Sequence, residues 1–228
     1  MPVPRAAHTT VKLNGRDLGM YVLVEGYNRQ FVKKYFNDTS GNLYDGGFVK
    51  DVDADELNTN SGDNPDDQSD LKDLLSAKQE PDLNKRWERL NEELDVDRFL
   101  TMLALDTINC HWDGYGRNRN NFRIYHDLDS DKMVFLPHGM DQMFQNPETR
   151  IFAPFEGLVA KKFIKIPEAQ QQFFDRIQEL HQTLFLEGDL RGRIQNISDE
   201  IPAVFQARYP EREEEYRNLI DKYKKKVS

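Results

Sequence analysis

The sequence of 228 residues has a single cysteine, Cys110, which excludes an intramolecular disulfide and any cysteine-built zinc cage. Its place at the end of an expected helix points to a buried thiol rather than a nucleophile. The five histidines lack HExxH or any comparable spacing, so zinc chemistry is not expected. No stretch of roughly 18 apolar residues occurs, so no segment reads as a membrane span. The opening "MPVPRAAHTT" lacks the apolar core of a signal peptide. The chain starts almost inside a strand, which fits a piece of a longer product with any export signal upstream. Basic residues are outnumbered 31 to 40, and a net charge of −9 argues against nonspecific nucleic-acid binding. A basic polypeptide or a metal-bridged phosphate is a more natural partner.

What is present suffices for a core. Hydrophobic residues make up 38% and include 14 Phe and 9 Tyr, against 31% charged residues. A chain of this length buries about 70% of its unfolded surface. "TTVKLNGRDLGMYVLVEG" predicts a hairpin turning at Asn14-Gly15, because that pair supplies the positive φ angles of a tight turn. Asn28 is placed to cap a short helix, "RQFVKKYF", with Phe31, Val32, Tyr35 and Phe36 on one face. Residues 51 to 73 carry nine acidic residues and one Lys and read as a solvated loop. Asp51, Asp53 and Asp55 suggest a calcium loop, but Glu56 stands where the sharp turn needs Gly and Gly62 where Glu should close the site. Helices are expected at 70–79, 84–93 and 96–110. The last is apolar nearly all round and predicts a buried central helix. "NNFRIYHD" and "KMVFLPHG", separated by "LDSD", predict a second hairpin, and the chain is helical from 157 on.

The chemistry-bearing stretch is "INCHWDGYGRNRNNFRIYHD", residues 108 to 127. A buried helix, an Asp-bearing loop, Asn, strand, turn, strand and a second Asp follow one another in the order of a protein-kinase catalytic apparatus. In that chemistry one carboxylate orients the attacking hydroxyl, and an Asn and a second Asp hold Mg²⁺ against the transferring phosphoryl group. Asp113 of "HWD" is the candidate for the first role, with Trp112 in place of the usual Arg. Asn118 has the ordinary kinase spacing, while Asn121 abuts the strand and is favoured as the metal ligand beside Asp141. The assignment requires Asp141 to fold back within a shared cation's reach of Asn121. Arg117, Arg119 and Arg123 suit either phosphate contact or a solvated basic loop. Trp112, Tyr115 and His111 suit packing or local hydrogen bonding better than base stacking or metal ligation.

Seven segments, "VKLNGRDLGMYVLVEGYNRQFVKKYF", "GNLY", "ELNTN", "DQSDLKDLL", "DVDRFLTMLALDTINCHWDGY", "NNFRIY" and "FLPHGMDQMF", together resemble the spore coat protein H (CotH) kinase family. The resemblance implies an atypical kinase using ATP and Mg²⁺ on Ser or Thr of a protein substrate with a basic, Ser-rich segment. It places the site at Asp113, Asn121 and Asp141, with Asn118 and Glu25 on the nucleotide side and Glu25 to Tyr27 as the hinge. Gly139 replaces the first aspartate of the family's PWDxDQ type of segment, and Asp45 stands where a basic residue is common. The implied fold is α+β and kinase-like: 1–50 as a residual N-lobe hairpin, hinge and short helix, 51–228 as an acidic insertion and helical C-lobe. The phosphate-binding Lys and its Glu partner belong to a segment before residue 1, and Lys12, Lys33 and Lys34 are poor substitutes. The chain is thus expected to be an N-terminally truncated member, at a cell surface, secreted or in a spore coat. The alternatives are a non-catalytic CotH-like surface or coat-assembly domain and an enzyme transferring a nucleotidyl group.

Overall fold

A computed structural model describes residues 1–53, 57–146, 148–201, 205 and 208–227. Asp55 and Glu56 of the considered calcium loop lie outside the described residues. The described chain mixes helices with two small antiparallel sheets and divides into two compact units, residues 1–3 with 26–179, and residues 4–25 with 180–228.

In the first unit, α1 (Arg29–Val32) starts where Asn28 accepts hydrogen bonds from the amides of Gln30 and Phe31. Phe31, Val32 and Phe36 are buried from this segment, while Tyr35 stays exposed with its ring tilted against that of Phe31. They pack with Leu43, Tyr125, Val134 and Leu136. The sheet is ordered β4 (Asn58–Ser61), β3 (Leu43–Asp45), β5 (Phe122–Asp127), β6 (Lys132–Pro137), all antiparallel. Its β5–β6 hairpin pairs Phe122 with Pro137 and Asp127 with Lys132, so the strand end nearest the Asp-bearing loop lies opposite the strand leading to Asp141.

Helices α2 (Ser69–Gln79), α3 (Leu83–Glu93) and α4 (Val96–Ile108) follow, the latter two capped by Asp82 and Asp95. The predicted central helix is found: Phe99, Leu100, Met102, Leu103 and Ala104 are buried, and Phe99 meets Phe135 of β6 and Phe163 at ring distances of 4.8 and 5.4 Å. One turn, α5 (Tyr115–Asn118), leads into β5, and α6 (Leu158–Phe163) and α7 (Pro167–Leu180) close the unit. The acidic stretch departs from the expected loop, since Asn58–Ser61 form β4 and its first residue is buried. Asp51 is only 3% exposed and accepts hydrogen bonds from the Tyr115 hydroxyl and the Leu158 amide, because a buried carboxylate must find donors. Burial pushes its carboxyl above the ordinary range.

In the second unit, β1 (Ala6–Leu13) and β2 (Arg16–Val24) form the predicted hairpin, with Asn14 at φ 49° and Gly15 at φ 81°. Tyr21, Val22, Leu23 and Val24 remain exposed. The unit also contains α8 (Leu190–Glu200) and α9 (Glu213–Lys226), and Asp17 of the hairpin pairs with Arg208.

Candidate functional site

The buried helix α4 ends at Ile108, and a tight loop with Cys110 at φ 53° carries the chain to Asp113. Burial raises the Cys110 thiol, in keeping with an unreactive side chain. Behind Asp113, His111 is buried with its Nδ1 3.1 Å from Asp106 Oδ1. Burial works against the charged imidazole, but the Asp106 carboxylate outweighs it and raises the ring above its ordinary value. Burial likewise pushes the Asp106 carboxyl up. Gly114 closes over this pair, since a Cβ there would press on Asp106 Oδ2 and His111 Nδ1.

The Asp113 side chain is enclosed by amides. Its Oδ1 accepts from Asn118 Nδ2 at 2.6 Å and Asn120 Nδ2 at 3.2 Å. Its Oδ2 accepts from Asn120 Nδ2 at 3.2 Å and Asn121 Nδ2 at 2.9 Å. The Asn121 amide also reaches the Asp113 backbone carbonyl at 3.0 Å. Arg119 at φ 52° and Asn121 at φ 53° adopt the left-handed conformation that asparagine tolerates better than most residues. Those two turns let neighbouring asparagines converge on one carboxylate. Asn120, buried like Asp113, was not singled out by spacing, and only the density of asparagine in "GRNRNN" signalled it.

The second hairpin brings the downstream loop back. The His138 amide donates to the Asn121 carbonyl at 2.9 Å, and Gly139, at φ 52°, lies so close that a Cβ would overlap Asn121 Oδ1. Asp141 follows within a one-turn helix, Met140–Gln142, and is exposed. Its charge is felt by His138, whose ring is held below its ordinary value by burial first and by Arg123 second.

Residues 1–226 match the family model described as CotH kinase protein. The chain belongs to the CotH kinase family. No curated protein matches the sequence.

Within this CotH chain the expected site residues fall into three groups. Asn118 and Asn121 both contact Asp113 directly. Among the described residues Asp141 makes no hydrogen bond or ion pair, and its loop touches the site through Gly139 and Asn121. Glu25 belongs to the second unit, where both its carboxylate oxygens take donors from Arg5 at 3.3 Å. Tyr27 belongs to the first unit, donates to the Pro137 carbonyl and stacks on His138 at 5.5 Å.

The three arginines diverge. Arg117 binds backbone carbonyls of the 150–154 segment, Arg123 pairs with Asp45 at 2.9 Å, and among the described residues the Arg119 guanidinium makes no hydrogen bond or ion pair, its backbone amide donating to the Tyr115 carbonyl. A wholly solvated loop therefore does not describe Arg117 and Arg123. Trp112 is exposed rather than packed, whereas Tyr115 is buried as expected.

Among the described residues no group of three or more His, Cys, Asp or Glu side chains is arranged to hold a metal ion. Oxygen donors for a hard cation are nevertheless available. With its Nδ2 committed to Asp113, Asn121 has only Oδ1 to offer, and the Asp141 carboxylate is uncommitted. Both are oxygen donors of the kind a hard cation takes. Among the described residues no helix is long and apolar enough to cross a membrane.

Proposed function

We propose that this chain is the catalytic part of an atypical, kinase-like enzyme that transfers the γ-phosphoryl group of ATP to a Ser or Thr hydroxyl of a protein. Asp113 supports this assignment best: a carboxylate at the end of a buried helix, held by three asparagine amides and only 8% exposed. A group so held keeps one orientation, which suits receiving a hydroxyl proton or aligning the hydroxyl for attack. Asn121 Oδ1 and Asp141 would hold Mg²⁺, which when bound with ATP neutralises charge on the transferring group. Asn118 keeps the Asp113 carboxylate turned toward the loop, and Asp106 keeps His111 in place behind it. The net charge of −9 favours a basic, Ser-rich polypeptide as acceptor.

Incubation with γ-labelled ATP, Mg²⁺ and a basic Ser-rich peptide tests the assignment. Label should reach the peptide with the wild type and not with Asp113→Ala. Equal labelling by both would remove Asp113 from the chemistry, and a peptide mass gain of one AMP, with the γ label released in pyrophosphate, would indicate nucleotidyl transfer instead.

One observation favours a second interpretation, a CotH-like binding domain without transfer activity. Position 139 carries no carboxylate, and its backbone leaves no room for one beside Asn121. Calorimetry separates the two, since a pure binding domain takes up no ATP in a Mg²⁺-dependent manner.

A further inference from the structure

The helix α5 is a single turn between Gly114 and Arg119, too short to be stable by itself. Its last residue, Asn118, nevertheless supplies the 2.6 Å bond to Asp113, so its geometry has to be imposed from outside. Three consecutive residues of α5 receive that support from one distant segment. The Tyr115 hydroxyl accepts the Val159 amide at 3.0 Å and donates to Asp51 at 3.1 Å. The Gly116 carbonyl accepts the Glu156 amide at 2.8 Å, and a Cβ on Gly116 would crowd Phe155 and Leu103. Arg117 makes the most ties: Nη1 to the carbonyls of Ala153 and Pro154, Nη2 to those of Ile151 at 2.9 Å and Arg150 at 3.4 Å. Its guanidinium also lies over the Phe155 ring at 4.8 Å.

No carboxylate pairs with this guanidinium among the described residues. A half-buried charge satisfied by neutral carbonyls needs its fork of donors filled, because even partial desolvation is otherwise unfavourable. Lysine, with one nitrogen, has no geometry that spans four carbonyls.

We infer that Arg117 is a positioning residue for phosphoryl transfer: by clamping the 150–154 segment onto α5, it fixes Asn118 and, through Asn118, the orientation of the Asp113 carboxylate. The inference rests on the proposed phosphotransferase activity for its kinetic consequence, and on geometry alone for its structural one. The 150–154 segment thereby becomes part of the site although none of its side chains needs to meet the phosphoryl group.

The test compares wild type, Arg117→Ala and Arg117→Lys in the full chain. Displacing a positioned group by about 1 Å can lower turnover about 100-fold. Arg117→Ala is expected to lower kcat by about 10- to 100-fold, and millimolar guanidinium, filling the vacated fork, should restore part of it. A merely destabilised protein would gain nothing from guanidinium. Amide exchange should accelerate in 115–118 and 150–157 while α4 and the β5–β6 hairpin stay protected, and the side-chain amide resonances of Asn118 should shift. If Arg117→Ala does not fold, Arg117→Lys, which keeps the charge and the aliphatic stem, is judged by the same measurements.

Turnover within threefold of wild type, or unchanged Asn118 resonances, would overturn the inference. If the wild type itself transfers no phosphate, the phosphotransferase proposal fails separately. The Asn118 resonances and the exchange pattern then decide the role of Arg117.

Discussion

Asn118 Nδ2 lies 2.6 Å from Asp113 Oδ1, the shortest of the amide contacts that surround this carboxylate. With Asn120 and Asn121 completing the enclosure, Asp113 faces donors only.

That one-sidedness makes Asp113→Asn a harsh substitution despite its equal size. An amide at 113 would turn an NH₂ group toward other NH₂ groups, and a buried donor left without an acceptor costs about 1–3 kcal/mol. Asp113→Asn is expected to abolish peptide phosphorylation and to lower the urea midpoint. Asp113→Ser, which brings no opposing donor on that scale, should abolish transfer with a smaller loss of stability.

Asn120 gives the complementary test. Asn120→Asp would set a second carboxylate at the 3.2 Å position now held by a donor, converting attraction into repulsion at short range. Transfer should fall at least tenfold at pH 8. Lowering the pH toward the carboxylate range should restore part of it, because one shared proton relieves the repulsion. A pH–rate profile of this variant against wild type reads the difference.

Restoring the family's carboxylate at position 139 should fail. Gly139 sits at φ 52°, and its missing Cβ would occupy the place of Asn121 Oδ1. Gly139→Asp is expected to destabilise by about 1–3 kcal/mol through backbone strain and displacement of Asn121. Calorimetry should show weaker, not tighter, uptake of Mg²⁺ with ATP.

His126 should make stability depend on pH. Its Nδ1 lies 3.1 Å from Asp70 and its Nε2 3.0 Å from Asp131, joining β5 to the first turn of α2 and to the hairpin turn. The Asp70 hydrogen bond leads in raising the imidazole above 6.5, against the effect of burial. A group whose folded pKa is raised contributes fully below its unfolded value, and the contribution is lost as pH rises through the folded one. The stability gap between wild type and His126→Gln should therefore be larger at pH 5.5 than at pH 8.5. Urea midpoints at the two pH values check this, and an equal gap would remove His126 as the source.

Local chemistry explains what the sequence made legible. Asn14-Gly15 dictated its turn, Asn28 its cap and the unbroken apolar run of α4 its burial, since each depends on a few adjacent residues. Asp113 with Asn118 and Asn121 was visible as a group because all three lie in one short loop. Asn120 was not, because its inward direction depends on the left-handed turns at Arg119 and Asn121, which spacing does not encode. Asp51 was hidden among exposed acids, two of its three donors lying 64 and 107 residues away. Asp106 carries a clue of its own: a lone carboxylate inside "TMLALDTIN" needs a buried partner, and His111, five residues on, provides it.

A cage of asparagines also has a shelf life. Asparagine side chains hydrolyse slowly to carboxylates and are among the thermolabile residues that heat-adapted proteins use sparingly. Such ageing at 118, 120 or 121 would leave most of the molecule folded while setting a new negative charge against Asp113. Hydrolysis there would change the charge around Asp113 without removing an apolar contact of the core.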